Sequence, residues 1–335
     1  MIVDIFTHIF PQRFFEAMEK AAPHLGGIFA SMRQMPPLYD LDARLRTMDE
    51  LGDDLGDYCQ ILSLPNPPLD NITPPELGAE MTRLGNETMA ELVDGHGDRF
   101  PVFVAALPMR DVDAALAEID YAIGELGARG VQIYTDVCGK PLDDPEFEPI
   151  FAAMAAHDLP IWLHPSRTAE VSDYATEKNG RLEMWWVFGW PYETSVAMAR
   201  LALCGLFDRY PELKIITHHL GGMVPYFEGR VDGGLALLGS KTEDEDLSHI
   251  LPSLKRPHIE YFKMFYGDTA LFGPLSGTKC GLNFFGVEHT VFATDAPFAS
   301  IAEIAGVIEQ LGLSEAEKQK VFCGNAERLL KMKLA

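Results

Sequence analysis

The chain has 335 residues, 47% of them hydrophobic and 23% charged, which excludes a disordered protein or a coiled coil. Asp and Glu number 50 against 27 Lys and Arg, giving a formal net charge of −23. Nucleic acids and anionic lipid surfaces would repel so acidic a chain, so we expect no nucleic-acid partner and no membrane association.

Short β-like runs alternate with longer segments of helical periodicity along the chain. Eight runs predict strands, at 2–6, 58–64, 100–106, 130–134, 160–164, 214–217, 265–268 and 290–293. The segments between them predict helices, for example over 41–51, 75–95, 112–126, 146–157, 192–208 and 299–310.

Eight strands separated by helices predict an α/β fold, a parallel sheet closed into a (β/α)₈ TIM barrel. We expect one domain over 1–335. A doubly wound open sheet is the alternative, but the first strand is not followed by G-x-G-x-x-G and the chain has no P-loop motif, so its two commonest uses are absent.

Two insertions and a tail interrupt this alternation. The insertions, at about 11–37 and 166–191, follow the first and fifth strands and would lie over the carboxyl-terminal face of a barrel. The second contains Trp185, Trp186 and Trp190, which favours a lid, a pocket wall or a subunit contact over ordinary surface. After Ser314 the sequence predicts a helical tail that begins with a capping box completed by Glu317.

The N-terminal segment and the cysteines bear on the cellular compartment of the protein. The segment 1–11 has no basic region and contains Asp4, which is not the pattern of a secretory signal peptide. No apolar run approaches the ~20 residues of a membrane span. The five cysteines are odd in number and lack C-x-x-C spacing, so we expect reduced thiols in a cytoplasmic protein.

Histidine or aspartate stands at the end of four predicted strands. The first ends at His8, the fifth at His164, the sixth at His218 and His219, and the eighth at Asp295. In a barrel these ends meet at one mouth. A lone histidine at a strand end is usually a hydrogen-bonded structural residue. Four such ends together favour a site for a divalent metal, which imidazole and carboxylate groups bind well.

Seven segments resemble one known family. The sequence is similar to the amidohydrolase superfamily, in the branch of aminocarboxymuconate-semialdehyde decarboxylase and the resorcylate and dihydroxybenzoate decarboxylases. The matching segments are DIFTHIFP (4–11), WLHPS (162–166), GWPYET (189–194), FDRYPELKIITHHLGGMVPYFEGR (207–230), FYGDTALFG (265–273), FATDAPF (292–298) and GNAERLL (324–330). Together they extend over nearly the whole chain.

The resemblance implies roles for single positions. His8 matches the second His of the H-x-H metal motif, and His164 and Asp295 match the metal ligands of strands five and eight. His219 matches the histidine that activates water or transfers a proton, so the implied catalytic residues are His219 and Asp295. His218 is an additional neighbour, for which we prefer a role in supporting the site.

The sequence departs from the family pattern at Phe6, which replaces the first His of H-x-H and cannot bind a metal. Two outcomes follow. His8, His164 and Asp295 hold one divalent ion, zinc or manganese, with no organic cofactor, or the site has lost its metal. We favour the first because three protein ligands are the usual number at a catalytic zinc-like site.

A carboxylate substrate needs a cationic side chain that binds the carboxylate and apolar side chains that contact the rest of the molecule. Guanidinium groups bind carboxylates in a bidentate manner, so Arg33 and Arg167 are candidate anchors, although a solvated surface position is the ordinary alternative for each. Phe6, Trp190 and Phe298 are candidates for an apolar wall around an aromatic or conjugated substrate, with the barrel core as the alternative for the two phenylalanines.

Three functions remain open at this point. The first is a metal-dependent, non-oxidative decarboxylase of an aromatic or unsaturated carboxylic acid. The second is a metal-dependent hydrolase or hydratase acting on a ring-cleavage product or a lactone. The third is a metal-free or degenerate barrel that binds a small molecule, because Phe6 replaces the first His of H-x-H. The resemblance also implies a homodimer or homotetramer.

Overall fold

A computed structural model describes residues 1–243 and 245–334. Within them are ten strands: β1 Ile2–His8, β2 Tyr58–Ser63, β3 Ala105–Ala106, β4 Val131–Tyr134, β5 Asp136–Val137, β6 Lys140–Pro141, β7 Ile161–His164, β8 Ile215–Thr217, β9 Tyr266–Asp268 and β10 Thr290–Val291. All eight predicted strands are confirmed, the third in a shorter form. The pair β5 and β6 is an antiparallel hairpin that the sequence did not predict.

The eight remaining strands form a closed ring. β1 pairs with β2, and β3, β4, β7, β8, β9 and β10 follow in that order, all parallel. A parallel bridge between Leu62 and Phe103 joins β2 to the third strand segment. The ring closes where the amide of Ile5 donates to the carbonyl of Phe292 over 3.0 Å. The predicted TIM barrel is confirmed, and the open sheet is excluded.

Seventeen α-helices within the described residues surround or cap this ring. They are Gln12–Ala21, Gly26–Met32, Leu41–Leu55, Leu69–Ile72, Pro75–Gly95, Val112–Gly124, Glu148–His157, Met184–Val187, Gly189–Leu203, Leu206–Arg209, Glu228–Leu235, Ile250–Ser253, His258–Phe262, Leu275–Phe285, Ile301–Gln310, Glu315–Gln319 and Asn325–Leu330. No helix among the residues described is long and apolar enough to cross a membrane.

Local sequence explains several helix boundaries. Asp40, Asp111 and Ser300 accept a hydrogen bond from the backbone amide three residues later, which satisfies a free N–H at each helix start. The predicted capping box of Ser314 and Glu317 is confirmed, with both of its hydrogen bonds present. The helical tail therefore begins where the sequence indicated.

A register shift in β1 sets which side chains enter the barrel. The pairing with β2 shifts between Asp4 and Thr7. As a result Ile5 and Phe6, although adjacent, both belong to the apolar cluster that fills the barrel interior. Trp162 lies in the same cluster, fully buried, and its Nε1–H donates to the carbonyl of Ile5 over 3.0 Å. After the shift, Thr7 pairs with Leu62 and His8 with Ser63.

Candidate active site

Six polar side chains meet at the carboxyl-terminal mouth of the barrel, and all are buried. They are His8, His164, His218, His219, Asp268 and Asp295. One ring nitrogen from each of His8, His164 and His218 lies within 4.8 Å of the other two. Ligand atoms of His218, His219 and Asp295 form a second group of the same size. The structure therefore brings together every predicted metal-binding and catalytic residue.

The surroundings of His8 fix its ring orientation. Its Nδ1 lies 3.0 Å from the hydroxyl of Ser63, and that hydroxyl donates to the carbonyl of Thr7. Ser63 Oγ is therefore the acceptor for an Nδ1–H of His8, and Nε2 is left unprotonated in this network. Nε2 lies 3.1 Å from Oδ1 of Asp295, and burial lowers the pKa of His8 despite this carboxylate.

His164 is held in the same way from the opposite side of the barrel. Its Nδ1 lies 2.8 Å from the carbonyl of Pro165, to which it donates, and the amide of Asn66 lies beside it. The Nε2 atom is then free to accept. Burial lowers the pKa of His164 well below its usual value, and His218 and His8 add to the effect. His164 is therefore a neutral imidazole, the form that binds metals.

His218 lies between two carboxylates. Its Nδ1 contacts Oδ2 of Asp268, and its Nε2 is 3.5 Å from Oδ1 of Asp295. Asp268 is itself fixed, because its Oδ1 accepts from the backbone amides of His219 and Ala270. Burial alone would lower the pKa of His218, but the two carboxylates outweigh it and raise that pKa to about 10. A metal ion that binds Nε2 of His218 would therefore displace a proton from it.

Asp295 and His219 share an unusual backbone conformation. Their φ angles are +64° and +55°, in the left-handed region that side chains other than glycine rarely adopt. Such strain costs about 1–3 kcal/mol per residue and is concentrated at functional sites. Burial would raise the pKa of Asp295, yet the nearby imidazoles of His218, His219 and His8 hold that pKa well below its usual range.

The donor set fits a divalent transition metal. Nε2 of His8 and Nε2 of His218 are buried without a hydrogen-bond partner, which is costly unless a further group completes them. Imidazole nitrogens around one carboxylate are the ligands of zinc, manganese and similar ions. The residues can therefore hold such an ion, and its chemistry would be Lewis-acid or template chemistry.

Phe6 lies beneath the imidazoles rather than in the wall that the sequence suggested. Its ring centroid is 5.1 Å from that of His8, 5.7 Å from His164 and 4.3 Å from His218, and the residue is fully buried. Phe6 therefore packs against the histidine cluster as part of the apolar core of the barrel.

Three aromatic rings surround the opening. Trp190 lies 5.8 Å from the ring of His164, Phe298 lies 5.9 Å from His8, and Phe272 is stacked 6.5 Å from His219. Phe272 and Phe298 are half exposed. We call these three side chains the aromatic collar. The sequence did not predict a role for Phe272 in the site, although Phe272 lies in the segment 265–273, one of the seven that resemble the amidohydrolase superfamily.

The structure does not place the two arginines as free anchors. The guanidinium of Arg33 is bound by Glu19, on the first insertion, and not by the histidine cluster. Arg167 is closer, since its backbone carbonyl accepts from Nε1 of Trp190, but its guanidinium pairs with Glu193 and Asp173. Each guanidinium already has a carboxylate partner within the chain.

Comparisons with known proteins agree with this geometry. The amidohydrolase family profile matches residues 24–332. The γ-resorcylate decarboxylase of Polaromonas sp. is 34% identical over 301 residues, 87% of each chain. The 2-amino-3-carboxymuconate-6-semialdehyde decarboxylase of Dictyostelium discoideum is 27% identical over 296 residues, 87% of this chain and 77% of that protein.

A solved structure is similar over almost the full length. It is a dihydroxybenzoic acid decarboxylase from Polaromonas sp. with bound manganese and the inhibitor 2-nitroresorcinol. It is 28% identical, with a TM-score of 0.78 over 98% of this chain and 96% of that one. The chain belongs to the amidohydrolase family, and the predicted resemblance to its decarboxylase branch is confirmed.

Proposed function

We propose that this protein is a divalent-metal-dependent, non-oxidative decarboxylase of an aromatic carboxylic acid. The observation that carries the proposal is the convergence of buried, partly unpartnered imidazole nitrogens on one carboxylate, Asp295, at the barrel mouth. The similarity to γ-resorcylate decarboxylase over 87% of the chain supports it. The presence of Phe6 does not remove the donor set.

We assign the metal to His8, His164 and Asp295. Both imidazoles have Nδ1 engaged by Ser63 or by the carbonyl of Pro165, which leaves Nε2 for the ion. Manganese is the first choice because a similar decarboxylase holds it. When bound, the ion would supply Lewis-acid polarisation and a template for oxygen groups of the substrate.

The substrate class we propose is a benzoate with a hydroxyl group next to the carboxylate. γ-Resorcylate and 2-nitroresorcinol, named for similar proteins, both carry oxygen groups on neighbouring ring positions. The aromatic collar of Trp190, Phe272 and Phe298 offers ring faces and edges to such a substrate. Since Arg33 and Arg167 are paired within the chain, the carboxylate would depend on the metal and on His219.

Asp295 and His219 are the residues that we expect to deliver the proton. Nε2 of His219 is 3.9 Å from Oδ2 of Asp295, so a movement of about 1 Å makes a hydrogen bond between them. Protonation of the ring carbon that bears the carboxylate allows the carbon–carbon bond to break. Its electron pair returns to the ring, and carbon dioxide leaves. One proton is consumed for each carbon dioxide released.

The test is carbon dioxide release by the manganese-loaded protein from 2,6-dihydroxybenzoate and related hydroxybenzoates. We expect release that a chelator abolishes and that is lost in His164→Asn. The matched control is His24→Asn, an exposed histidine of the first insertion. No release across the panel, or equal release by His164→Asn, would overturn the proposal. Metal-dependent hydrolysis of a lactone without carbon dioxide release would point to the hydrolase alternative.

We further propose a homodimer or homotetramer in the cytoplasm. Large apolar side chains are exposed at Phe188, Tyr192 and Tyr226, a pattern that often marks a subunit contact. All five cysteines are free thiols, which suits a reducing compartment. Light scattering after gel filtration tests the assembly, and a monomeric mass would contradict it. Cell fractionation tests the compartment.

A further inference from the structure

This inference rests on the proposed function and concerns the ligand that Phe6 cannot supply. We propose that His218, oriented by Asp268, is a protein ligand of the metal and takes the place of the missing first histidine of H-x-H. The chain would then bind the ion through His8, His164, His218 and Asp295. One ligand has moved from strand β1 to the residue after β8.

Contact between Phe6 and His218 is the first support. Their ring centroids are 4.3 Å apart, the shortest of the three distances from Phe6 to a histidine of the cluster. A histidine at position 6 would project into the same part of the barrel as His218. Phenylalanine there provides an apolar floor against which the imidazole of His218 packs.

The free nitrogen of His218 is the second support. Its Nε2 is buried and lacks a hydrogen-bond partner, and one ring nitrogen of His218 belongs to the group with His8 and His164 within 4.8 Å. The nearest oxygen, Oδ1 of Asp295, is 3.5 Å away, which is long for a hydrogen bond. Nε2 of His218 therefore lacks a partner in the same region where the side chains of His8, His164 and Asp295 meet.

Asp268 supplies the orientation that a ligating histidine needs. It accepts at Nδ1 of His218, while two backbone amides, those of His219 and Ala270, hold the carboxylate in place. Metal-binding histidines usually donate their other ring N–H to a carboxylate or carbonyl in this manner. His8 and His164 have the corresponding partners, Ser63 and Pro165.

The neighbouring histidine, His219, differs in the side chains that surround its ring. His219 does not belong to the group formed by His8, His164 and His218, and its ring stacks against Phe272 of the collar. Its Nε2 is 3.9 Å from Asp295. His219 therefore faces the substrate side, which makes it a matched control for His218.

The test measures Mn²⁺ affinity by calorimetry and counts coordinated imidazole nitrogens by pulsed electron paramagnetic resonance. The variants are His218→Ala, Phe6→His, the two combined, and His219→Ala. We expect His218→Ala to weaken binding at least about tenfold and to remove one of three coordinated imidazoles. Phe6→His should restore most of the affinity in the His218→Ala background and change it little otherwise. His219→Ala should keep three imidazoles.

Several results would overturn the inference. One such result is a His218→Ala variant that keeps three coordinated imidazoles and an unchanged Mn²⁺ affinity. Another is a gain in Mn²⁺ affinity from Phe6→His that is equal in the wild-type and His218→Ala backgrounds. His218→Ala leaves Asp268 buried without its partner, so the paired variant His218→Ala with Asp268→Asn is measured as well, with thermal melting to confirm folding. A wild-type protein that binds no Mn²⁺ would overturn the proposed function itself, which separates the two failures.

Discussion

Nε2 of His8 lies 3.1 Å from Oδ1 of Asp295, across the seam where the first and last strands of the barrel meet. The backbone reinforces this contact, because the amide of His8 donates to the carbonyl of Ala296 over 2.8 Å. Residues from opposite ends of the chain are thus joined at the mouth. The candidate site exists only when the barrel is closed.

Replacing Asp295 by asparagine should abolish activity without unfolding the barrel. The carboxylate is the shared partner of three imidazoles, and its loss removes both a metal ligand and a proton carrier. We expect carbon dioxide release to fall by roughly a thousandfold, within the range for general acid–base residues. Asp98→Asn, at an exposed position, is the control. Near-normal turnover by Asp295→Asn would remove Asp295 from the assignment.

Metal binding should also stabilise the fold. An ion that binds only the folded state raises the free energy of unfolding in proportion to the logarithm of its concentration above Kd. Added Mn²⁺ should raise the Tm of the chelator-treated wild-type protein by several degrees. The Tm of His164→Ala should not change when Mn²⁺ is added. Equal shifts in both proteins would mean that Mn²⁺ binds elsewhere.

Phe272 should affect substrate binding more than turnover. Its half-exposed ring stacks on the His219 side of the mouth and is not bonded to the reacting groups. We expect Phe272→Leu to raise KM about fivefold to tenfold, as the loss of one aromatic contact predicts, with little change in kcat. Phe272→Tyr should keep KM near the wild-type value. A selective fall in kcat would place Phe272 in the chemistry instead.

Asp4 should make stability depend on pH. It is fully buried and accepts from Tyr58 and Thr294, and burial raises its pKa from 3.8 to about 7. The folded state favours the protonated form of Asp4. The contribution of Asp4 to the free energy of unfolding is therefore complete below pH 4 and is lost as the pH rises through 7. Between these two pH values, the difference in unfolding free energy between wild type and Asp4→Asn should fall by about 4 kcal/mol at most.

Urea unfolding at pH 4, 6 and 8 measures that difference, and groups common to both proteins cancel. A difference that does not vary with pH would mean that Asp4 remains ionised in the folded protein. Arg44, whose own pKa burial lowers to about 10, is the nearby cation that would then explain the result.

The fold could be predicted because its signals are local. Short apolar runs such as those ending at His8 and His164 mark buried strands, and the count of eight agrees with a closed barrel. Polar residues directly after those runs must lie at the carboxyl-terminal edge. Among these residues are His8, His164, His219 and Asp295, which the structure brings together.

The remaining features depend on contacts that no single segment contains. The register shift in β1 places Phe6 under the imidazoles, and alternation alone does not reveal such a shift. The internal partners of Arg33 and Arg167 come from distant positions. Asp268 was within reach, since it ends the seventh predicted strand as Asp295 follows the eighth. The pattern that indicated Asp295, a polar residue at the end of an apolar run, is also present at Asp268.

The most direct test is elemental analysis of the protein purified without chelators or a His-tag, beside a sample stripped and reloaded with metal. We expect about one equivalent of manganese or zinc per chain, the stoichiometry of a mononuclear catalytic site, in the purified and the reloaded protein. No metal in the purified protein and none regained on reloading would contradict it, and Phe6 would then mark a site that has lost its ion.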